Sequence, residues 1–216
     1  MSTVVVEPSS LHGVMRFPSS KSQGDVSGLV FPLIASLMTP SDILIEGVNQ
    51  DEWQEDKIVL EYVKAMGARI EVAGHCLHIV GPQQLHGIEM NIDTAVDALP
   101  LLAVLGTYAT GTTTLSNASG CRSKESDRLF TMARALSSMG ADVVEQSDGL
   151  ILTKSKLHGA VVSSRDDQRV AMALTVAGLI AKGKTVVQHT ECVKKSFPLF
   201  FSSLAALGAR IGEFCR

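Results

Sequence analysis

The sequence predicts a mixed α/β fold of three repeated units with approximate threefold symmetry, and three markers recurring in step carry that prediction. The tripeptide Leu-His-Gly occurs at Leu11-His12-Gly13, Leu85-His86-Gly87 and Leu157-His158-Gly159. Gly-Ala follows a bulky apolar residue at Met66-Gly67-Ala68, Met139-Gly140-Ala141 and Leu207-Gly208-Ala209. An Asp opens an apolar stretch at Asp25, Asp97 and Asp167, and lies 41, 42 and 40 residues before the Met or Leu of the second marker. Self-similarity at a period of about seventy residues is the mark of a repeat architecture.

Each unit reads alike. After the Asp comes a helix almost without charge, over 26–38, 98–108 and 170–181. A helix apolar on all sides must be buried, so these three belong at the centre. A β-rich stretch follows, over 43–48, 112–117 and 185–189. A second helix comes next, over 58–66, 127–139 and 197–207; in the middle copy Leu129, Met132, Ala133 and Leu136 recur at helical spacing. The Gly of Met-Gly-Ala suits a left-handed helix end. Two short strands close the first unit, around 77–80 and 87–90.

In the third copy the chain stops at Arg216 before such a closing pair, while Val4-Val5-Val6 and Leu11-His12-Gly13-Val14-Met15 stand unassigned at the other end. The N-terminal strands are therefore expected to complete the third repeat. The units run over 24–92, 93–164, and 165–216 together with 1–22, in one domain spanning 1–216.

Bulk properties narrow the possible functions. A chain of 216 residues with 45% hydrophobic and 19% charged residues is a folded globular protein. A net charge of −3 argues against a nucleic-acid or anionic-membrane binder. Cys76, Cys121, Cys192 and Cys215 form no Cys-x-x-Cys pair and read as reduced thiols of a cytoplasmic protein. The N-terminus has no signal-peptide pattern, and the longest apolar run, over 26–38, is too short to span a bilayer.

Symmetry brings the helix starts to one end of the globule. There Lys21, Lys124, Arg128, Arg169 and Lys195 would surround one spot, with helix N-termini adding backbone N–H groups: a site for phosphate or carboxylate. Asp97 and Glu125 lie among these cations, where proximity of positive charge favours their ionised form. Asp97 and Glu125 are candidates for acid–base work, and plain helix capping stays open for Asp25, Asp97 and Asp167.

Five segments, in order along nearly the whole chain, resemble the EPSP synthase family (3-phosphoshikimate 1-carboxyvinyltransferases). Arg122-Ser123-Lys124-Glu125-Ser126-Asp127-Arg128 resembles its Arg-x-Lys-Glu-Ser-Asp-Arg signature, and Pro18-Ser19-Ser20-Lys21-Ser22 its N-terminal Pro-Gly-Ser-Lys-Ser. Asp167-Gln168-Arg169-Val170-Ala171-Met172-Ala173 is similar to Asp-His-Arg-x-Ala-Met-Ala. Cys192-Val193-Lys194-Lys195-Ser196-Phe197-Pro198 is similar to Cys-x-x-Lys-Ser-Phe-Pro, and Val96-Asp97-Ala98-Leu99-Pro100 to the segment of the catalytic Asp.

The resemblance implies two domains of three βαβαββ units each, with the active site between them. It implies transfer of the enolpyruvyl group of phosphoenolpyruvate to the 5-hydroxyl of shikimate 3-phosphate, on the shikimate pathway to aromatic amino acids, without metal or organic cofactor. On it, Lys21, Lys124, Arg128, Arg169 and Lys195 hold phosphoenolpyruvate and its phosphate, and Ser22 holds shikimate 3-phosphate. Asp97 is the base near the attacking hydroxyl, Glu125 serves proton transfer at the methylene carbon, and Lys21 counts with them as catalytic.

The sequence departs from the family in three places. Lys21-Ser22-Gln23 runs straight into Gly24-Asp25-Val26-Ser27, where relatives insert the upper domain; the junction at Gln23–Gly24 therefore reads as an excision. Gln168 stands in the place of a His, and Gly120 where relatives place a polar residue. The expectation is a lower domain, inactive or nearly so alone, with weak affinity for phosphoenolpyruvate. Two alternatives are a binding module that needs a separate upper-domain chain, and a relative acting on UDP-N-acetylglucosamine; the Lys-Glu-Ser-Asp-Arg run argues against the latter.

Other features read as structural. His75 and His78 point to opposite faces of a strand and cannot share a metal. The Leu-His-Gly histidines recur with the repeat, which suits a turn or strand start, and Trp53 lies in an acidic solvated stretch.

Overall fold

The computed structural model describes residues 2–16, 28–48 and 57–215. Lys21, Ser22, Asp25, Trp53 and the Gln23–Gly24 junction lie outside the described residues.

The elements run β1 (Ser2–Glu7), β2 (Leu11–Arg16), α1 (Val30–Met38), β3 (Ser41–Glu46), α2 (Lys57–Ala65), β4 (Glu71–Ala73) and β5 (Cys76–Gly81). Then follow β6 (Glu89–Asn91), α3 (Leu99–Tyr108), β7 (Thr112–Ser116), α4 (Arg128–Ser138), β8 (Asp142–Gln146) and β9 (Gly149–Thr153). The last are β10 (Val161–Ser163), α5 (Gln168–Ile180), β11 (Thr185–Gln188), α6 (Phe200–Ala206) and β12 (Arg210–Cys215). Short 3-10 turns at Ser119–Ser123 and Thr190–Lys195 lead from β7 and β11 towards the second helices of their units.

The strands form three four-stranded sheets, in the orders β2-β3-β5-β4, β6-β7-β9-β8 and β10-β11-β1-β12. This is the mixed α/β, three-repeat fold expected. In each sheet the first two strands are parallel (β2 with β3, β6 with β7, β10 with β11) and the remaining pairings antiparallel. A parallel pair needs a crossover, and the apolar helix of each unit supplies it. α1, α3 and α5 pack on one another at the centre. Every residue of α1 is buried, as are Leu99 to Thr107 of α3 and Arg169 to Leu179 of α5.

The strand pairings differ from the sequence expectation at two points. β2 does not close the third unit: it lies beside β3 and opens the first sheet, as β6 opens the second. The closing pair of the first unit is instead the hairpin of β4 and β5, turning at Gly74, whose φ is +58°. In the third unit β12 is present, and only one strand is missing; β1 fills that place, pairing with β11 and β12. Each of β2, β6 and β10 lies parallel to the strand that follows the next apolar helix, so every Leu-His-Gly strand belongs to the unit it enters.

The two glycine-containing markers meet in space, which explains why they recur together. Gly67, Gly140 and Gly208 take φ of +96°, +86° and +104°. The next residue then folds back on its helix, with Ala68 N donating to Val63 O, Ala141 N to Leu136 O and Ala209 N to Leu204 O. The freed carbonyl before each Gly is taken by a Leu-His-Gly histidine. His86 N donates to Met66 O at 2.9 Å, His158 N to Met139 O at 2.9 Å, and His12 N to Leu207 O at 2.7 Å. One hydrogen bond thus links the second helix of each unit to the opening strand of the next, and closes the ring from α6 back to β2. In the second and third Leu-His-Gly runs the glycine itself is needed too: a Cβ on Gly87 would sit 2.2 Å from Thr112 O, and one on Gly159 2.1 Å from Lys184 O.

Candidate active site

Arg128 is the first residue of α4, and its side chain is only 1% exposed. A buried guanidinium must have its donors met. Nε donates to Asp167 Oδ2 at 2.9 Å, Nη1 to Asp97 Oδ1 at 2.6 Å and to Val96 O at 3.0 Å, and Nη2 to Glu125 Oε2 at 2.8 Å. Residues from the segment before α3, from the turn before α4 and from the start of α5 thus converge on one side chain.

Asp167 caps α5 and anchors the cluster. Its Oδ1 accepts from Arg169 N at 2.9 Å and Val170 N at 3.3 Å, and its Oδ2 from Ser126 Oγ at 3.2 Å as well as from Arg128. The side chain has no solvent exposure. Asp97, by contrast, is not a cap. α3 begins after Ala98 with no side-chain cap, and the Asp97 carboxylate turns to Arg128 instead. The cap of α4 is Asp127, which accepts from Phe130 N at 3.0 Å.

Above this buried floor lies an open rim. Asp97 and Glu125 are nearly half exposed, and Lys124 Nζ approaches Asp97 Oδ1 to 3.9 Å. Arg169 Nη2 lies 3.7 Å from Asp97 Oδ2. Burial pushes the Asp97 carboxyl up, but the Arg128 hydrogen bond and the charges of Arg128, Arg169 and Lys124 outweigh it, and the group lies below its ordinary value. Glu125 is lowered as well: against burial stand its own backbone N–H, the Gln168 amide and the Arg128 charge, while Asp97 opposes them. Both are therefore carboxylates at neutral pH, held in the charged form by the surrounding donors and cations.

The predicted residues do not all gather. Asp97, Lys124, Glu125, Arg128 and Arg169 form one cluster. Lys195 ends the turn that packs against α5, is exposed, and makes no ion pair with a described residue. Lys21 and Ser22 lie outside the described residues. Arg122, from the same charged run, faces away: Nη1 holds Asp127 and Glu145, each at 2.9 Å, and Nε and Nη2 hold the Ser147 and Gln146 carbonyls. Sequence reasoning missed Asp167 as the partner of Arg128; its one signal was its place directly before Gln168-Arg169.

Gly120 has room for a side chain, a Cβ there meeting only Val96 Cγ1 at 3.6 Å. Cys121 beneath it is pushed up to about 11 by burial despite nearby Arg128 and Lys124, so it is a neutral thiol and no nucleophile. His75 and His78 have separate partners, Val48 O for one, Asp42 and Glu71 for the other. Among the described residues no cluster of three or more His, Cys, Asp or Glu side chains fits a metal, and no helix is long and apolar enough to cross a membrane.

The family model of EPSP synthase (3-phosphoshikimate 1-carboxyvinyltransferase) matches residues 7–204. The chain belongs to the EPSP synthase family. A 3-phosphoshikimate 1-carboxyvinyltransferase of Methanococcus maripaludis is 40% identical over 190 residues, which are 88% of this chain and 44% of that enzyme. One from Chlamydia caviae is 38% identical over 193 residues, 88% of this chain and 43% of that enzyme. This chain thus spans less than half the length of the curated relatives it matches. Among solved structures, EPSP synthase from Acinetobacter baumannii superposes with a TM-score of 0.78 at 32% identity, over 88% of this chain and 47% of that one. The enolpyruvyl transferase NikO from Streptomyces tendae shares the fold, with a TM-score of 0.74 at 21% identity, over 88% of this chain and 44% of that one.

Proposed function

We propose that this chain is the lower domain of an EPSP synthase and carries the proton-moving, anion-holding half of its site. The observation that supports this best is the convergence of Asp97, Glu125 and Asp167 on the buried Arg128. In the proposed reaction the 5-hydroxyl oxygen of shikimate 3-phosphate bonds to C2 of phosphoenolpyruvate. Asp97 takes the hydroxyl proton, and Glu125 serves the proton that adds to the methylene carbon and then leaves it. When that proton leaves, the C2–O bond to phosphate breaks, and the enol ether and inorganic phosphate are released. Lys124, Arg169, Lys195 and Lys21 hold the carboxylate and phosphate of phosphoenolpyruvate, with the buried Arg128 adding its positive charge from beneath, and Ser22 holds the 3-phosphate. Fixed cations aimed at gathering negative charge lower the barrier.

Glu125 begins as a carboxylate, held so partly by Arg128. An incoming polyanion adds negative charge beside it, which favours the protonated form that protonation of the methylene carbon requires. In this reading the chain alone binds phosphoenolpyruvate weakly and does not turn over, because an open rim neither excludes water nor supplies the second domain's ligands. A second reading is a binding module that works with a separate upper-domain chain.

Amide NMR during a phosphoenolpyruvate titration, with and without shikimate 3-phosphate, tests the site. The expected result is shifts at Lys124, Arg128, Arg169 and Lys195. Silence at millimolar ligand would remove the binding half of the proposal. Phosphate release after mixing with an upper-domain chain separates a split enzyme from a domain that cannot be reconstituted.

A further inference from the structure

The two oxygens of the Glu125 carboxylate have different donors. Oε2 accepts from Arg128 Nη2 at 2.8 Å, and Oε1 accepts from Gln168 Nε2 at 3.0 Å. Gln168 is the first residue of α5, next to Asp167, which caps that helix and also holds Arg128 Nε. The start of α5 that carries Gln168 is therefore anchored beside Arg128 by the buried Asp167–Arg128 pair, and the carboxylate spans the two donors.

We propose that Gln168 is a positioning residue: with Arg128 it clamps the Glu125 carboxylate in one orientation, using a donor that does not titrate. A carboxylate with one donor can still swing about its terminal bond, and a second donor on the other oxygen stops that motion. The amide N–H is present at every pH. A histidine at 168, the residue expected from the family resemblance, ordinarily changes charge near pH 6.5, so its grip on Glu125 would change across the neutral range.

The other charged groups around Glu125 do not supply such a switch. From α4 and its preceding turn come Arg128, Lys124 and Asp127; from the segment before α3, Asp97; from α5, Arg169 and Asp167. None of these side chains is an imidazole. The Gln168 contact is thus constant across the neutral range. For the transferase reading, on which this consequence alone rests, the group that handles the methylene proton keeps one orientation throughout the neutral range.

The test needs no substrate. With 13C-labelled glutamate, the Glu125 carboxyl carbon is followed against pH in the natural chain, Gln168→His and Gln168→Leu. The natural chain should titrate in one step, on the acid side. Gln168→Leu should move that step upward, since a donor to the charged form is lost. Gln168→His should add a second inflection at about pH 6–7, felt at Glu125. Identical Glu125 curves in the natural chain and Gln168→His, with the amide spectrum showing a folded protein, overturn the proposal; this arm decides even if Gln168→Leu does not fold. Phosphoenolpyruvate binding is read separately. A chain that ignores phosphoenolpyruvate yet gives the expected curves loses the transferase reading and keeps the clamp.

Discussion

Arg128 draws three carboxylates from three parts of the chain, and the consequences of losing each one differ with burial. Asp167 is wholly buried beside it, so Asp167→Ala leaves a guanidinium in the interior with its Nε unmet and strips α5 of its cap. Removing one partner of a buried pair costs about 3–5 kcal/mol. A urea unfolding curve should show that loss; a change below about 1 kcal/mol would mean that Ser126 or water takes over the role of Asp167. The exposed pair Asp97 and Glu125 shows itself in pH dependence instead. Both lie below their ordinary values of 3.8 and 4.5, so their stabilising contribution is complete above those values and is lost as pH falls through the lower folded ones. The urea midpoint should therefore hold steady from neutral pH down to about pH 5 and fall below about pH 4. In Asp97→Asn the acid-side fall should be shallower. At this scale the sequence was informative about membership and less so about partners. Lys124, Glu125 and Arg128 were readable as one charged run, but the run could not reveal that Arg122 turns to Glu145, nor that Asp97 leaves α3 uncapped for Arg128. Those choices are made by side chains distant in sequence.

At the scale of elements, periodicity located the helices well because burial imposes it. The central helices had to be apolar all round, and α3 and α5 begin within two residues of where composition placed them. The strand pairing was harder. β4 is only Glu71–Ala73, all exposed, and carries no apolar alternation to announce it. The short strands after Leu-His-Gly read equally well as the end of one unit or the start of the next, and only the parallel pairing decides. The helix ends allow a sharper test. Gly140 and Gly111 both have left-handed backbones, φ +86° and +87°, but a Cβ on Gly111 meets nothing within 4 Å, while one on Gly140 lies 2.8 Å from the His158 ring. Gly111→Ala should cost about 1 kcal/mol for the backbone alone. Gly140→Ala should cost more, about 1–3 kcal/mol, and His158→Ala in the same chain should recover the difference. Equal costs for the two single glycine substitutions would show that the imidazole simply moves aside.

The whole molecule is a ring of three sheets whose third member is made from both ends of the chain. β1 lies between β11 and β12, so β12 is held in its sheet through β1. Val4 and Val6 of β1 are buried, and α5 passes so close that a Cβ on Gly178 would lie 2.9 Å from Val6 Cβ. Deleting residues 2–7 should therefore do more than trim a terminus. It exposes the edge of β11, unseats β12 and opens the core over α5, and the cooperative unfolding transition should be lost. A circular permutant distinguishes the need for β1 from the need for its covalent position. Ser2 stands opposite Cys215 in the antiparallel register, so an Asn-Gly pair in place of residues 216 and 1 makes β12 and β1 a hairpin. Opening the chain between Ser9 and Ser10 then leaves three contiguous units of identical strand order. That permutant should unfold in a single cooperative transition, with the ring bond from His12 N to Leu207 O still protected from hydrogen exchange. If the permutant fails while the natural chain folds, the connection from β1 to β2 itself stabilises the ring, and the third sheet is more than the sum of its strands. If it folds, the third unit is equivalent to the other two, and the wrapped-around N-terminus reflects where the chain is cut rather than what the fold requires.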